Sequence, residues 1–221
     1  MYRTSIGKKV IMSVTGFVWI AYVVLHMYGN LKAFVGPEYY NAYAEGLRTL
    51  GGPIFGHLQL LYIARIVFVV SIVLHVWSAW SLYRQAATAR PQSYAMYRVV
   101  QADYAARTMR YGGVLILLFL LLHLAQLTWG VRAVSPEFVP GDPYDNLVAI
   151  FQSPIYTAAY LIALVVLGFH LFHGAWSMFQ TLGILNRKYD PYVRGFALLL
   201  ALVIPIGFAA VPLAIMFGFV Q

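Results

Sequence analysis

The chain has 221 residues, 62% of them hydrophobic and only 10% charged, with a mean hydropathy of +0.74. That balance excludes a soluble globular domain and defines an integral membrane protein. There is no cysteine, which rules out disulfides, thiolate-held metal clusters and any group attached through thioethers. A formal charge of +8 would suggest nucleic acid in a soluble protein; in a bilayer the placement of charges carries the information, and no nucleic-acid partner is expected.

Arg3, Lys8 and Lys9 precede an apolar run of roughly 25 residues that meets no small-residue cleavage site, so the opening reads as a retained helix and not a secretory leader. Apolar stretches predict five spanning helices, over about 10–34, 58–83, 111–133, 155–182 and 196–219. Each suffices for a hydrocarbon core of roughly 30 Å, and the continuous pattern excludes barrel strands. The expectation is one all-α transmembrane domain over 1–221, with no room for a soluble domain. Polar connections fall at 35–57, with Gly36-Pro37 and Gly51-Gly52-Pro53, and at 84–110, 135–154 and 183–195. The fifth span holds Pro205 and Pro212 and no ionisable side chain, and reads as a kinked packing helix.

With the N-terminus cytoplasmic, the inner segments carry Arg3, Lys8, Lys9, Arg84, Arg90, Arg98, Arg107, Arg110, Arg187, Lys188 and Arg194 against Asp103 and Asp190. The outer segments carry Lys32, Arg48 and Arg132 against Glu38, Glu45, Glu137, Asp142 and Asp145. This asymmetry orients the chain by the positive-inside rule. Arg65, near the outer end of the second span, either snorkels to the interface or meets an acid.

Four histidines, His26, His75, His123 and His170, fall in four different spans. A membrane-buried imidazole is costly unless paired or ligating. Counting from the inner edge at about 1.5 Å per residue places His75 roughly 13 Å and His170 roughly 18 Å deep, with His26 roughly 25 Å and His123 roughly 20 Å. Depth therefore pairs His75 with His170 and His26 with His123. Two imidazoles from two helices can take both axial positions of one iron, so the pattern fits two non-covalent haems b in a four-helix bundle. Gly16 and Gly29 beside His26, Ser71 and Ser78 beside His75, Gly112 and Gly113 before His123, and Gly168 and Gly174 beside His170 would admit a flat macrocycle, or serve only helix packing. His173, one turn after His170, either replaces it as ligand or supports the site. His57 reads as a solvated interfacial residue or a proton-exchange group. A proton or metal-ion transporter would normally bring carboxylates into the spans, and the spans contain none.

The segment Ser5-Ile6-Gly7-Lys8-Lys9-Val10-Ile11-Met12-Ser13-Val14-Thr15-Gly16, followed by His26-Met27-Tyr28-Gly29-Asn30-Leu31, resembles the dihaem cytochrome b anchor of succinate dehydrogenases and fumarate reductases, in the single-anchor, five-helix class. Phe169-His170-Leu171-Phe172-His173-Gly174-Ala175-Trp176-Ser177 with Gln180-Thr181-Leu182-Gly183 is similar to that family's fourth helix. The resemblance implies a subunit of a succinate:quinone oxidoreductase in the bacterial cytoplasmic membrane. The dicarboxylate chemistry would sit in a flavoprotein subunit, joined through an iron–sulfur subunit docked on the cytoplasmic side, with a quinone, usually menaquinone, as electron acceptor. The same resemblance assigns His75 and His170 to the inner haem and His26 and His123 to the outer one. Some relatives carry an acidic residue near the outer start of the second helix; this chain has none over 53–60, which leaves Glu45, His57 and Gln59 as substitutes at an outer quinone site and Ser5, Lys9, Trp176 and Gln180 at an inner one.

Arg3, Lys8, Arg65, Arg84 and Arg110 are candidates for neutralising haem propionates or gripping the partner subunit; each also serves as an ordinary topogenic or interfacial charge. The rivals are a cytochrome b anchor of another membrane dehydrogenase and a non-redox, histidine-lined transporter. The sequence leaves open whether the complex assembles into a higher oligomer.

Overall fold

A computed structural model describes residues 4–89 and 104–221. The expectations placed on Arg3, Arg90, Arg98 and Asp103, and on the side chain of Arg107, lie outside the described residues. Among those described, the chain forms α1 (Ser5–Leu31), a 3-10 turn (Lys32–Val35), α2 (Pro37–Arg48), α3 (Gln59–Thr88), α4 (Tyr104–Leu127), α5 (Pro143–Phe151), α6 (Pro154–Thr181) and α7 (Asp190–Met216), with no strand. Five of these are long and apolar enough to cross a membrane: α1 with its 3-10 turn, α3, α4 from Thr108, α6 and α7.

The five expected spans are present, with shifted ends. Helix α1 starts at Ser5 because Thr4 caps it, its hydroxyl accepting from the Gly7 N–H at 3.1 Å. Helix α4 stops at Leu127, short of 133; Gly130 turns the chain there with a φ of +59°, a left-handed conformation suited to glycine.

The connections at 35–57 and 135–154 are not the plain polar loops that their composition suggests. Each carries a short helix started by a proline, Pro37 in α2 and Pro143 in α5, where the missing N–H costs nothing. Asp142 caps α5 by accepting from the Asp145 N–H at 3.2 Å, and it accepts from the Asn41 amide of α2 at 3.0 Å. Asn41 in turn accepts from the Tyr144 N–H at 3.1 Å. These bonds clasp α2 to α5 and hold the Asp142 carboxyl below its ordinary range, the Asn41 amide first; the resulting charge pushes Asp145 upward. Tyr144, Leu147, Val148, Ile150 and Phe151 of α5 are buried against Tyr160 of α6 and Val211, Ala214 and Ile215 of α7. The Tyr144 hydroxyl donates to the Gln221 carbonyl at 3.0 Å, so the chain's last residue is tied to the same face.

Between the two faces α1 lies against α3, α6 and α7, and α6 lies against α4 and α7. Large apolar side chains such as Ile66, Val69, Leu118, Ile162 and Ile206 are exposed, as lipid contact requires, while Ser13, Thr15, Ser71, Ser78 and Gln126 are buried. Close approach at the α6–α7 seam depends on one glycine. Pro205 has no N–H, so the carbonyl of Ala201, four residues earlier, receives no helical bond. A Cβ on Gly168 would stand 3.0 Å from that oxygen, whereas one on Gly174 would meet nothing within 4 Å. Gly168→Ala should therefore cost about 1–3 kcal/mol by overpacking. Thermal unfolding of the purified protein in detergent measures this, with Gly174→Ala as a control expected to unfold like the parent.

Candidate functional site

Four helices each deliver one imidazole to the bundle. His26 of α1 and His123 of α4 have ring centroids 5.8 Å apart and planes at 84°. His75 of α3 and His170 of α6 lie 6.3 Å apart with planes at 54°. The structure thus brings together the same residues that depth pairs along the sequence. Their levels differ because His75 meets α1 at Met12 and Thr15, and His26 follows Thr15 by eleven residues, about 16 Å of helical rise.

The hydrogen bonds of two rings determine which nitrogen carries the proton. His75 Nδ1 is 3.2 Å from the Met12 carbonyl oxygen, which can only accept, so this nitrogen is the donor. Thr15 Oγ1, 3.1 Å from the same nitrogen, spends its own proton on the Ile11 carbonyl at 2.8 Å. His123 Nδ1 is 3.3 Å from the Tyr160 phenol oxygen. That phenol donates to Gln126 Oε1 at 3.0 Å, and the Gln126 amide is oriented by donating to the Val134 carbonyl at 3.2 Å. His123 Nδ1 is therefore a donor too. In a neutral imidazole this leaves Nε2 with its lone pair free, the form in which histidine binds a metal.

The other two rings differ. His26 stacks face to face on Tyr22, with centroids 5.3 Å apart and planes at 12°. The Asn30 amide donates to the His26 carbonyl at 2.9 Å and reaches Nε2 only at 3.4 Å, too long for a strong bond. His170 Nδ1 is buried without a hydrogen-bond partner.

Among the described residues no three His, Cys, Asp or Glu side chains converge. An ion held by protein donors alone would have only two of the four ligands a closed site requires. A metal already bound by a planar macrocycle needs two axial donors and no more, which is what each pair supplies. Two rings sharing one metal at bonds of about 2 Å have centroids roughly 6 Å apart. The donor set and the spacing both fit such a group.

Glycines stand close to the second pair. A Cβ on Gly16 would lie 3.6 Å from His75 Cε1, and one on Gly113 would lie 3.9 Å from His170 Cε1. The sequence reading set these two beside His26 and His123; helical rotation turns them to the opposite pair. Gly29 serves a different contact, with Tyr43 Cε1 2.9 Å from where its Cβ would be.

The remaining candidates are distributed over both faces. Glu45, His57 and Gln59 lie exposed at the face of α2. Glu45 is joined to Arg48 at 2.7 Å and to His57 at 3.3 Å, and Arg48 first, then His57, lowers its pKa. Gln59, the first residue of α3, accepts from the Gly56 N–H in the preceding turn at 3.0 Å. At the N-terminal face Ser5, Lys9, Arg84, Arg110 and Gln180 are exposed, whereas Lys8 is buried at 7% exposure. Trp176 donates its N–H to Asp190 at 2.9 Å, and Arg194 both stacks on Trp176 and donates to Asp190, a latch between α6 and α7. Arg110 lies over Tyr83 and Arg65 over Tyr62. His173 Nε2 is 3.0 Å from Ser177 Oγ on its own helix, and the ring that faces His75 is that of His170.

Sequence reasoning missed Thr15, Tyr160 and Gln126. Only Gln126, one turn from His123 and a polar residue in an apolar span, carried a signal. Compared with protein-family models, curated proteins and solved structures, the chain matches none of them.

Tyr160→Phe should leave both His123 Nδ1 and Gln126 Oε1 unpaired and cost about 1–3 kcal/mol, far more than an ordinary loss of one hydroxyl. The thermal midpoint in detergent checks it, and the double variant with Gln126→Leu should recover part of the loss.

Proposed function

We propose that the chain is the dihaem cytochrome b membrane anchor of a succinate:quinone oxidoreductase. The observation that carries this reading is the meeting of four imidazoles from four helices in two pairs, at 5.8 and 6.3 Å. The free Nε2 on His75 and His123 and the shortage of protein donors for any other metal support it. The succinate and quinone assignments rest on the resemblance of the opening segment and of Phe169-His170-Leu171-Phe172-His173-Gly174-Ala175-Trp176-Ser177 to that family.

Haem held by these histidines would supply one-electron transfer. The chain's residues prepare that environment. Met12 and Thr15 hold the His75 ring, Tyr160 and Gln126 hold that of His123, and each contact keeps the proton on Nδ1. His75 with His170 forms the inner site and His26 with His123 the outer site. Lys8, Arg84 and Arg110 supply positive charge at the N-terminal face, for propionates and for a soluble iron–sulfur subunit that carries the flavoprotein. By the charge asymmetry this face is cytoplasmic, in a bacterial inner membrane. Quinone, menaquinone for this class, would exchange beside Glu45, His57 and Gln59 or beside Ser5, Lys9, Trp176 and Gln180. Arg65 serves the outer edge.

Reduced-minus-oxidised spectra of the purified chain should show b-type bands amounting to about two haems per chain. His75→Ala and His170→Ala should each remove the same centre and spare the other; a protein without a Soret shift overturns the reading. His173→Ala should retain two haems, and loss of one would make His173 the ligand in place of His170. A water-filled, haem-free bundle would instead match the transporter.

A further inference from the structure

An imidazole that binds a metal through one nitrogen is free to turn about that bond, so its plane is set by whatever else touches the ring. For His75 and His123 this is a hydrogen bond at Nδ1, to the Met12 carbonyl and to the Tyr160 phenol. His26 has no such bond. Among the described residues its ring nitrogens meet a polar group only at the Asn30 amide, 3.4 Å from Nε2. Aromatic rings surround it instead. Tyr22, one turn earlier on α1, lies face to face with it, with centroids 5.3 Å apart and planes at 12°. Phe208 of α7 meets it at 5.6 Å and 50°.

Tyr22 is itself held in place. Phe68 of α3 lies against it at 4.3 Å and 51°, and Trp19 meets it edge-on at 5.6 Å and 84°. Trp19 and Phe68 also touch each other, at 5.6 Å. The three rings close a triangle between α1 and α3, so Tyr22 cannot turn without displacing two neighbours that already share a contact. The levels agree from both helices. Tyr22 follows Thr15 by seven residues and Phe68 precedes His75 by seven, about 10.5 Å of rise in each case from the Thr15–His75 contact. Helix α3 thus gives its histidine to one pair and, through Phe68 and Tyr22, a support to the other. The support acts on rotation: an imidazole lying flat on a phenol drives its edge into that face when it turns.

We propose that Tyr22 is the positioning residue for His26, its buttressed ring fixing the imidazole plane at nearly a right angle to that of His123 and so shaping the electronic state of the outer centre. The inference rests on the haem reading, and the experiment separates the two. In a low-spin ferric haem with two axial imidazoles the spread of g values follows the angle between the ring planes and is widest when they are perpendicular. Purified, oxidised protein is examined by low-temperature electron paramagnetic resonance, with His26→Ala identifying the outer signal. The highest g value of the outer centre, at 84°, should exceed that of the inner one, at 54°. Tyr22→Leu removes the flat face, and the outer highest g value should fall or spread into a broad band while the inner signal stays. Tyr22→Phe keeps the ring and should keep the parent spectrum. Phe68→Leu withdraws the buttress without touching the stack, and should move the outer signal the same way by less; if Tyr22→Leu releases the outer haem, this variant decides. An outer signal that both leucine variants leave in place, a Tyr22→Phe spectrum like that of Tyr22→Leu, shifts confined to the inner centre, or a parent whose outer spread is no wider than the inner overturns the proposal with two haems still bound and the haem reading intact. A parent protein that carries no haem removes the haem reading itself, and the proposal with it.

Discussion

An imidazole between lipid-embedded helices has two nitrogens and no water to serve them, and much of this bundle is arranged around that constraint. One nitrogen of His75 and one of His123 are served from a neighbouring helix, by the Met12 carbonyl and the Tyr160 phenol. The consequence extends to the backbone. Met12 lies one turn before Gly16, where a Cβ would face the His75 ring at ordinary contact distance, so the same stretch of α1 both packs on that ring and accepts its proton.

The two ends of the bundle are held by different forces. At the face of α2 and α5, a cluster of Tyr144, Leu147, Val148, Ile150 and Phe151 packs on α6 and α7, and the Asn41–Asp142 clasp closes it. Burial of this kind needs no lipid. At the N-terminal face the Trp176–Asp190–Arg194 latch joins α6 to α7 through charge and a ring, and much of the surrounding surface, Lys9, Arg84, Arg110 and Gln180 included, is exposed. The pair of His26 and His123 lies toward the closed end, beneath Tyr160, a member of the core cluster. There His123 Nδ1, the Tyr160 phenol and the Gln126 amide form one hydrogen-bonded chain that ends on the Val134 carbonyl.

Much of this was legible in the sequence, for identifiable reasons. Spans follow from composition, and with a fixed rise per residue the level of a histidine follows from its distance to the charged end of its span, so the pairing of rings could be counted. Rotation about the helix axis could not. Gly16 was set beside His26 and lies beside His75, because ten residues along a helix turn by roughly 1000°, which faces the side chain elsewhere. Thr15 and Tyr160 escaped notice since their partners come from other helices, at separations of 60 and 37 residues. Helices α2 and α5 hid in stretches rich in Gly and Pro, where proline reads as a break although at a first turn it starts a helix.

Donor counting gives the arrangement its chemical meaning. A metal ion taken from water must have most of its hydration shell replaced, and two neutral nitrogens cannot do this between apolar helices. Each pair therefore suits a metal only if further donors arrive with it, and this shortage, set beside the 5.8 and 6.3 Å spacing of the rings, is what ties the proposed reading to the geometry of the bundle.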